Sequence, residues 1–246
     1  DSVPGAVNSW AGKWVAGILL SFSESARFFD AKKTTIIGNP IRSAAVGGNL
    51  SEAIREFNLE EKIPVVLVLG GSQGSEKINE TILDILPKMV EKYQIIHQTG
   101  PKNFEDVEKR SKVVLLNSSL KHRYHVFPFF SEGLLKNASR AASLVLARSG
   151  STIFEIAAWG LPSILVPLLT SAQNHQRENA YNYAKTGACE VVEENNLTPH
   201  ILLAQIDKIL ENEEKIILMK EAAKSFAKLN AADIAAQEII KLGTHD

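Results

Sequence analysis

Residues 65–75 read Val65-Val66-Leu67-Val68-Leu69-Gly70-Gly71-Ser72-Gln73-Gly74-Ser75. The apolar run predicts a strand buried on both faces, the glycines a tight turn, and the residues after them have helical spacing. A strand that enters a helix through such a turn aims several free backbone N–H groups at one spot, which is how proteins hold phosphate. A second junction of the same kind follows in Leu144-Val145-Leu146-Ala147-Arg148-Ser149-Gly150-Ser151-Thr152-Ile153-Phe154-Glu155. Two anion cradles, with a carboxylate one helical turn inside the second, point to a nucleoside diphosphate whose ribose the carboxylate holds.

Working outward, strand-like and helix-like stretches alternate from about residue 14 to about residue 192, the pattern of an α/β protein with helices on both faces of a parallel sheet. Strands are expected at 14–22, 33–37, 64–69, 94–97, 113–116, 124–127, 143–147, 162–166 and 188–192. Helices are expected near 51–58, 76–91, 103–110, 132–140, 152–159 and 175–186. Gly38-Asn39-Pro40-Ile41-Arg42 and Gly47-Gly48-Asn49-Leu50-Ser51 break the periodicity and mark a linker between domains. After Thr198-Pro199 the spacing is helical over 200–211, 214–229 and 232–242.

With 246 residues, 45% of them hydrophobic, the chain can bury one generous core or two small ones. A formal net charge of −1 leaves no basic surplus to neutralise a polyphosphate backbone, which argues against nucleic acid as a partner. The one cysteine, Cys189, excludes a disulfide within the chain and reads as a small apolar residue entering a strand. Trp14 to Phe22 is apolar but too short to cross a bilayer and is expected as a buried strand. The chain opens on Asp1 without an initiator methionine or a basic signal region, from which the start of the protein is expected to be missing.

Known phosphate loops fit neither turn. A P-loop closes with Gly-Lys-Ser/Thr, whereas Gly74 is followed by Ser75-Glu76, and the Gly-x-Gly-x-x-Gly dinucleotide spacing is not met. The second turn also admits a reading without a ligand: Thr152-Ile153-Phe154-Glu155 satisfies the Ser/Thr-x-x-Glu capping box, in which hydroxyl and carboxylate cap a helix start.

Six motifs in register bear on that choice: Gly38-Asn39-Pro40-Ile41-Arg42, Leu69 to Gly74, His97-Gln98-Thr99-Gly100, Arg148-Ser149-Gly150 with Thr152-x-x-Glu155, Gly160-Leu161-Pro162, and Asn174-His175-Gln176-x-x-Asn179-Ala180. Together they resemble the MurG family, the N-acetylglucosaminyltransferases that convert lipid I to lipid II in bacterial peptidoglycan synthesis. The resemblance implies a GT-B fold, two Rossmann-like domains facing across a cleft. Residues 1–40 would be the end of the N-terminal, acceptor domain with its linker, and residues 41–246 the C-terminal domain that binds the UDP-sugar.

For the site, the resemblance implies Arg42 near the nucleotide, Ser72 and Gln73 near the diphosphate and sugar, and Phe130 presenting backbone to the uracil. Ser149, Gly150, Ser151 and Thr152 would form the loop at the helix start. Glu155 would take the ribose, and Gln176, with His175 beside it, the N-acetylglucosamine hydroxyls. Implied partners are UDP-N-acetylglucosamine, the undecaprenyl-linked lipid I and the cytoplasmic face of the bacterial inner membrane, reached through the N-terminal domain. No cofactor and no metal are implied, and the general base would lie in that N-terminal half. Two departures stand out: one residue, Ser151, separates Gly150 from Thr152 where the family usually has two, and the family's N-terminal glycine-rich loop and histidine are absent. Two alternatives stay open, another enzyme on the same scaffold that uses a UDP-sugar, and a donor-binding subunit active only with a membrane partner.

Overall fold

The structure is a computed structural model that describes residues 1–71, 73–169 and 174–243. In chain order its elements are α1 (Ala6–Ala11), β1 (Ile18–Leu20), β2 (Thr34–Ile36), α2 (Leu50–Glu56), β3 (Val65–Leu69), α3 (Glu76–Lys92), β4 (Gln94–Gln98), α4 (Phe104–Val114) and β5 (Tyr124–Phe127). There follow α5 (Glu132–Ala141), β6 (Leu144–Ala147), α6 (Thr152–Trp159), β7 (Ser163–Leu165), α7 (His175–Ala184), β8 (Cys189–Val191), α8 (Pro199–Leu210), α9 (Glu213–Phe226) and α10 (Ala231–Gly243).

Strands β3 to β8 form one parallel sheet in the order β5-β4-β3-β6-β7-β8, and β1 and β2 pair separately. All five residues of β3 are buried, and their period-2 alternation explains why the run is apolar throughout. Val65, Leu67 and Leu69 face the core shared with α2, α5, α6 and α7, while Val66 and Val68 face the opposite core, filled by Ile78, Ile82, Leu86 and Met89 of α3 and Leu202, Ile206 and Ile209 of α8.

The order turns back at β3: the chain builds outward to β4 and β5, then returns to place β6 on the other side of β3. Open parallel sheets bind ligands outside the carboxyl ends of the strands at this kind of switch point, because the loops on either side diverge there and leave a crevice. Leu69 pairs with Ala147 in register, so the two glycine turns leave neighbouring strands at the same level.

Two expectations are corrected. Residues 113–116 are the end of α4 and the turn beyond it, with Val113 and Leu116 each 72% exposed. The apolar run Val-Val-Leu-Leu has strand propensity, but β5 takes the place beside β4, and only Leu115 of the four is buried. The expected strand at 14–22 shrinks to Ile18–Leu20: Trp14 is exposed, and burial begins at Leu20 and Phe22. The short helix α1 and several 3-10 turns before residue 46 had no periodic signal. Cys189 opens β8 as expected, and burial raises its thiol pKa well above the ordinary value.

The segment before residue 40 is not detached. Phe22 is buried against Phe154 of α6 and Phe226 of α9, with ring centroids 5.0 and 5.8 Å away. The stretch expected as a linker is pinned further on, where the Trp159 Nε1–H donates to the Ala45 carbonyl at 2.7 Å and Gly48 lies so close to α5 that a Cβ would sit 2.2 Å from the Lys136 oxygen.

Candidate functional site

Both glycine turns open on one hollow of about 330 Å³ at the switch point, lined by Arg42, Leu69, Gly71, Gln98, Phe129, Phe130, Leu135, Ser151, Thr152 and Glu155. Its floor is the end of β3 and its walls are the linker, the helix start of α6 and the segment after β5.

The first turn takes its shape from glycine. Gly71 has φ +88° and Gly74 φ +81°, conformations that L side chains rarely adopt, and a Cβ on Gly74 would fall 2.0 Å from the Thr99 carbonyl oxygen. Gly100, at φ +86°, meets the same turn from the other side, a Cβ there lying 2.5 Å from the Gln73 oxygen. The turn ends on Ser75, whose Oγ accepts from the Ile78 N–H and caps α3. Behind it, His97 is fully buried on β4 between Tyr124 Oη (2.9 Å) and Asn79 Oδ1 (3.0 Å), and the Asn79 amide in turn donates to the Thr99 carbonyl at 3.1 Å. Burial favours the neutral imidazole and lowers the His97 pKa to about 3.

The second turn is held by side chains. Ser149 is fully buried and donates its Oγ proton to the Gln176 carbonyl at 2.7 Å, while its own carbonyl accepts from Asn179 Nδ2 at 3.2 Å. Arg148 bridges the two turns: Nη2 donates to Ser75 Oγ at 2.7 Å and to Glu194 Oε1, and Nη1 to the Val166 carbonyl at 3.1 Å. In the first turn of α6 the N–H groups of Ile153 and Phe154 bond back to Gly150 and Ser151. Those of Ser151 and Thr152 are N–H groups that helix geometry leaves without an intrahelical partner.

The capping box is not formed. Ser151, already helical at φ −60° and ψ −21°, holds the cap position without a side-chain bond, and Thr152 is the first residue of the helix. Glu155 turns instead to the linker, where its Oε1 accepts from Arg42 Nε at 3.1 Å and Nη2 at 3.0 Å. Glu155 and Trp159 are four residues apart on one face of α6 and hold the linker at Arg42 and Ala45 respectively. This half-exposed pair adds at most about 1 kcal/mol to stability, so its geometry matters more than its strength.

Of the residues expected from sequence, Arg42, Phe130, Ser151, Thr152 and Glu155 line the common hollow. Ser149 lies behind the turn, and Gly150, half-buried, forms the bend without lining the hollow. Gln73 is exposed on the first turn and does not line it either. His175 and Gln176 open α7: Gln176 Oε1 accepts from the Leu168 N–H at 3.1 Å, and His175 Nδ1 is buried without a hydrogen-bond partner among the described residues. Ser72 lies outside the described residues. Phe130 is buried against Phe127, and its N–H donates to Gln98 Oε1 at 3.1 Å.

Gln98 gains a role only in the structure. Its Nε2 donates to the Gly71 carbonyl at 3.2 Å, so a single amide ties the first turn to the Phe129-Phe130 segment. The available signal was a polar residue ending an otherwise buried parallel strand, the position from which such sheets address ligands. Among the described residues no group of three or more His, Cys, Asp and Glu comes together as a metal site, and no helix is long and apolar enough to cross a membrane.

A doubly wound parallel sheet with two glycine turns opening on a hollow at its switch point is the architecture on which α/β proteins bind nucleotides. Residues 65–237 match the glycosyltransferase family 28 C-terminal domain, and the chain belongs to that family. It is 34% identical over 237 residues to the UDP-N-acetylglucosamine--N-acetylmuramyl-(pentapeptide) pyrophosphoryl-undecaprenol N-acetylglucosamine transferase of Thermodesulfovibrio yellowstonii, covering 95% of this chain and 63% of that one. The likeness to the enzyme of the same name from Halalkalibacterium halodurans is 34% over 235 residues, with the same two coverages. The MurG resemblance read from the motifs is thus borne out, and the chain spans 63% of the length of these relatives.

Among solved structures, MurG of Acinetobacter baumannii superposes with a TM-score of 0.75 at 24% identity, covering 98% of this chain and 65% of that one. A UDP-N-acetylglucosamine 2-epimerase from Listeria monocytogenes, described as putative, gives 0.70 at 13%, with coverages of 96% and 61%. At these identities the likeness is one of fold, and it bears out the expected Rossmann-like, GT-B type sheet.

Proposed function

We propose that this chain carries the donor half of an inverting N-acetylglucosaminyltransferase that moves N-acetylglucosamine from its UDP ester to the C4 hydroxyl of the muramyl sugar of lipid I, giving lipid II. In this reading residues 1–40 are the end of an acceptor domain with its linker, and residues 41–246 form the UDP-sugar-binding domain. The observation that carries it is the meeting of both glycine turns in one hollow with Arg42 and Glu155. Further support comes from relatives of that name aligned over 95% of the chain.

The uracil lies against the Phe129-Phe130 segment, the ribose hydroxyls on Glu155, the diphosphate on the N–H groups of the turns, and the sugar toward His175 and Gln176. Ser72 and Gln73 border the diphosphate and sugar from the first turn. A carboxylate suits a vicinal diol because two acceptor oxygens take both protons, whereas against phosphate it would repel. In the reaction the C4 oxygen attacks the anomeric carbon, the bond to the β-phosphate oxygen breaks, and configuration inverts. Charge grows on the leaving diphosphate, so fixed N–H dipoles and the α6 helix start stabilise the transition state more than the ground state. The general base and the lipid site belong to the remainder of the protein, which works at the cytoplasmic face of the inner membrane.

Calorimetric competition among UDP-sugars tests the assignment. UDP-N-acetylglucosamine should bind this chain at least about tenfold tighter than UDP-glucose or UDP-galactose, the scale of one well-placed polar contact. Equal affinities would assign the scaffold to a different UDP-sugar enzyme, and no affinity for UDP would overturn the site.

A further inference from the structure

Asn179, on the inner face of α7, is 2% exposed and uses its whole hydrogen-bonding capacity on two parts of the chain 147 or more residues apart in sequence. Its Oδ1 accepts from the N–H of Ser2 at 2.7 Å and from the Ser2 hydroxyl at 2.9 Å. Its Nδ2 donates to the Ser149 carbonyl at 3.2 Å and to Asp1 Oδ1 at 2.8 Å. Ser2 and Ser149 are both fully buried, so water does not substitute for these bonds. The Ser149 carbonyl belongs to the peptide plane whose other end is the Gly150 N–H, and fixing the oxygen fixes where that N–H points. Among the described residues Gly150 meets nothing within 4 Å where a Cβ would stand, so none of them packs on the turn at that point.

We propose that Asn179 is a positioning residue for the second glycine turn, and that through it the seating of the Asp1-Ser2 segment is coupled to diphosphate binding at that turn. The proposal rests on reading the turn as a diphosphate cradle. It adds a path by which the segment ahead of the linker, on the side assigned to the acceptor domain, tunes the donor site. An acceptor-side movement that withdraws Ser2 releases two of the four bonds on Asn179 and frees the amide to rotate away from Ser149.

The test is a double-mutant cycle read by UDP calorimetry on this chain, with thermal unfolding alongside. Asn179→Asp keeps the oxygen that accepts both Ser2 bonds but loses the donor to Ser149 and Asp1, and is expected to weaken UDP about tenfold. Ser2→Ala, which removes one bond and leaves the backbone N–H in place, is expected to weaken UDP about threefold, and to have no effect on affinity in an Asn179→Ala background. A purely structural role would lower the unfolding temperature and leave UDP affinity unchanged in Asn179→Asp and Ser2→Ala, and that result overturns the proposal. So does an undiminished Ser2→Ala effect in the Asn179→Ala background. If Asn179→Asp does not fold, the amide hydrogen exchange of Gly150 to Thr152 in Ser2→Ala decides: faster exchange supports the coupling, and unchanged exchange overturns it. A wild-type chain that does not bind UDP overturns the functional reading itself, a different outcome from a wild type that binds and an Asn179→Asp variant that binds equally well.

Discussion

The two turns at the switch point border the same hollow but are built in different ways. The first is shaped by its own residues, with glycines at positive φ and at contacts too close for a Cβ. The second has one glycine, with φ in the ordinary range and open space beside it, and is held from behind by Asn179, Gln176 and Arg148. The difference teaches that a glycine turn between a strand and a helix is specified either locally, by backbone freedom, or at a distance, by side chains that fix a carbonyl. The first kind fails when a methyl group is added, and the second when a remote amide is lost.

The largest effect should follow from Gly74→Ala. It forces a Cβ to within about 2 Å of the Thr99 oxygen at a left-handed φ, and a loss of roughly 3 kcal/mol or more in denaturant-unfolding stability is expected. A variant as stable as wild type would show that the first turn does not depend on glycine geometry.

Acid tests the scaffold behind the first turn. His97 has a pKa of about 3 in the folded protein against about 6.5 when unfolded, so between those values the unfolded chain binds more protons and stability rises with pH. As pH falls below about 6.5, His97 should therefore withdraw stability at about 1.4 kcal/mol per pH unit, down to about pH 3. His97→Gln should flatten that slope in urea titrations, although His125, whose pKa burial lowers to about 4, retains a similar dependence. An unchanged slope in the variant would assign the whole acid response to other groups.

A smaller effect separates function from folding at the second turn. Glu155→Ala breaks the pair with Arg42, costs at most about 1 kcal/mol of stability, and should weaken UDP about tenfold by calorimetry if the carboxylate holds the ribose. Loss of stability with unchanged UDP affinity would reduce Glu155 to a clasp for the linker. The smallest effect is expected for Gly150→Ala, where no described residue lies within 4 Å and φ is ordinary: stability should stay within about 0.5 kcal/mol of wild type, the opposite of Gly74→Ala. A large loss there would erase the contrast between the turns.

Most of the sheet was legible because parallel strands buried on both faces are written as continuous apolar runs, and β3, β4 and β6 need only local hydrophobicity to be recognised. The run at 113–116 misled for the same reason, since propensity sees Val-Val-Leu-Leu but not that the place beside β4 belongs to β5. In the site, motif order singled out Arg42 and Glu155 separately. That they touch, and that the Thr-x-x-Glu sequence makes no capping box, depends on a linker passing over α6 more than 110 residues earlier in the chain.

By itself, then, the order of residues determined the alternation of elements and the places of both turns, because each of these is set by neighbours along the chain. Tertiary structure alone decided that β3 and β6 lie side by side, that Gln98 joins the first turn to Phe130, and that Asn179 holds the second turn to Ser2. Those contacts join residues 27 or more positions apart, where no local preference acts. They form because packing the two faces of one sheet brings these buried polar groups together, and once out of water each must find a partner.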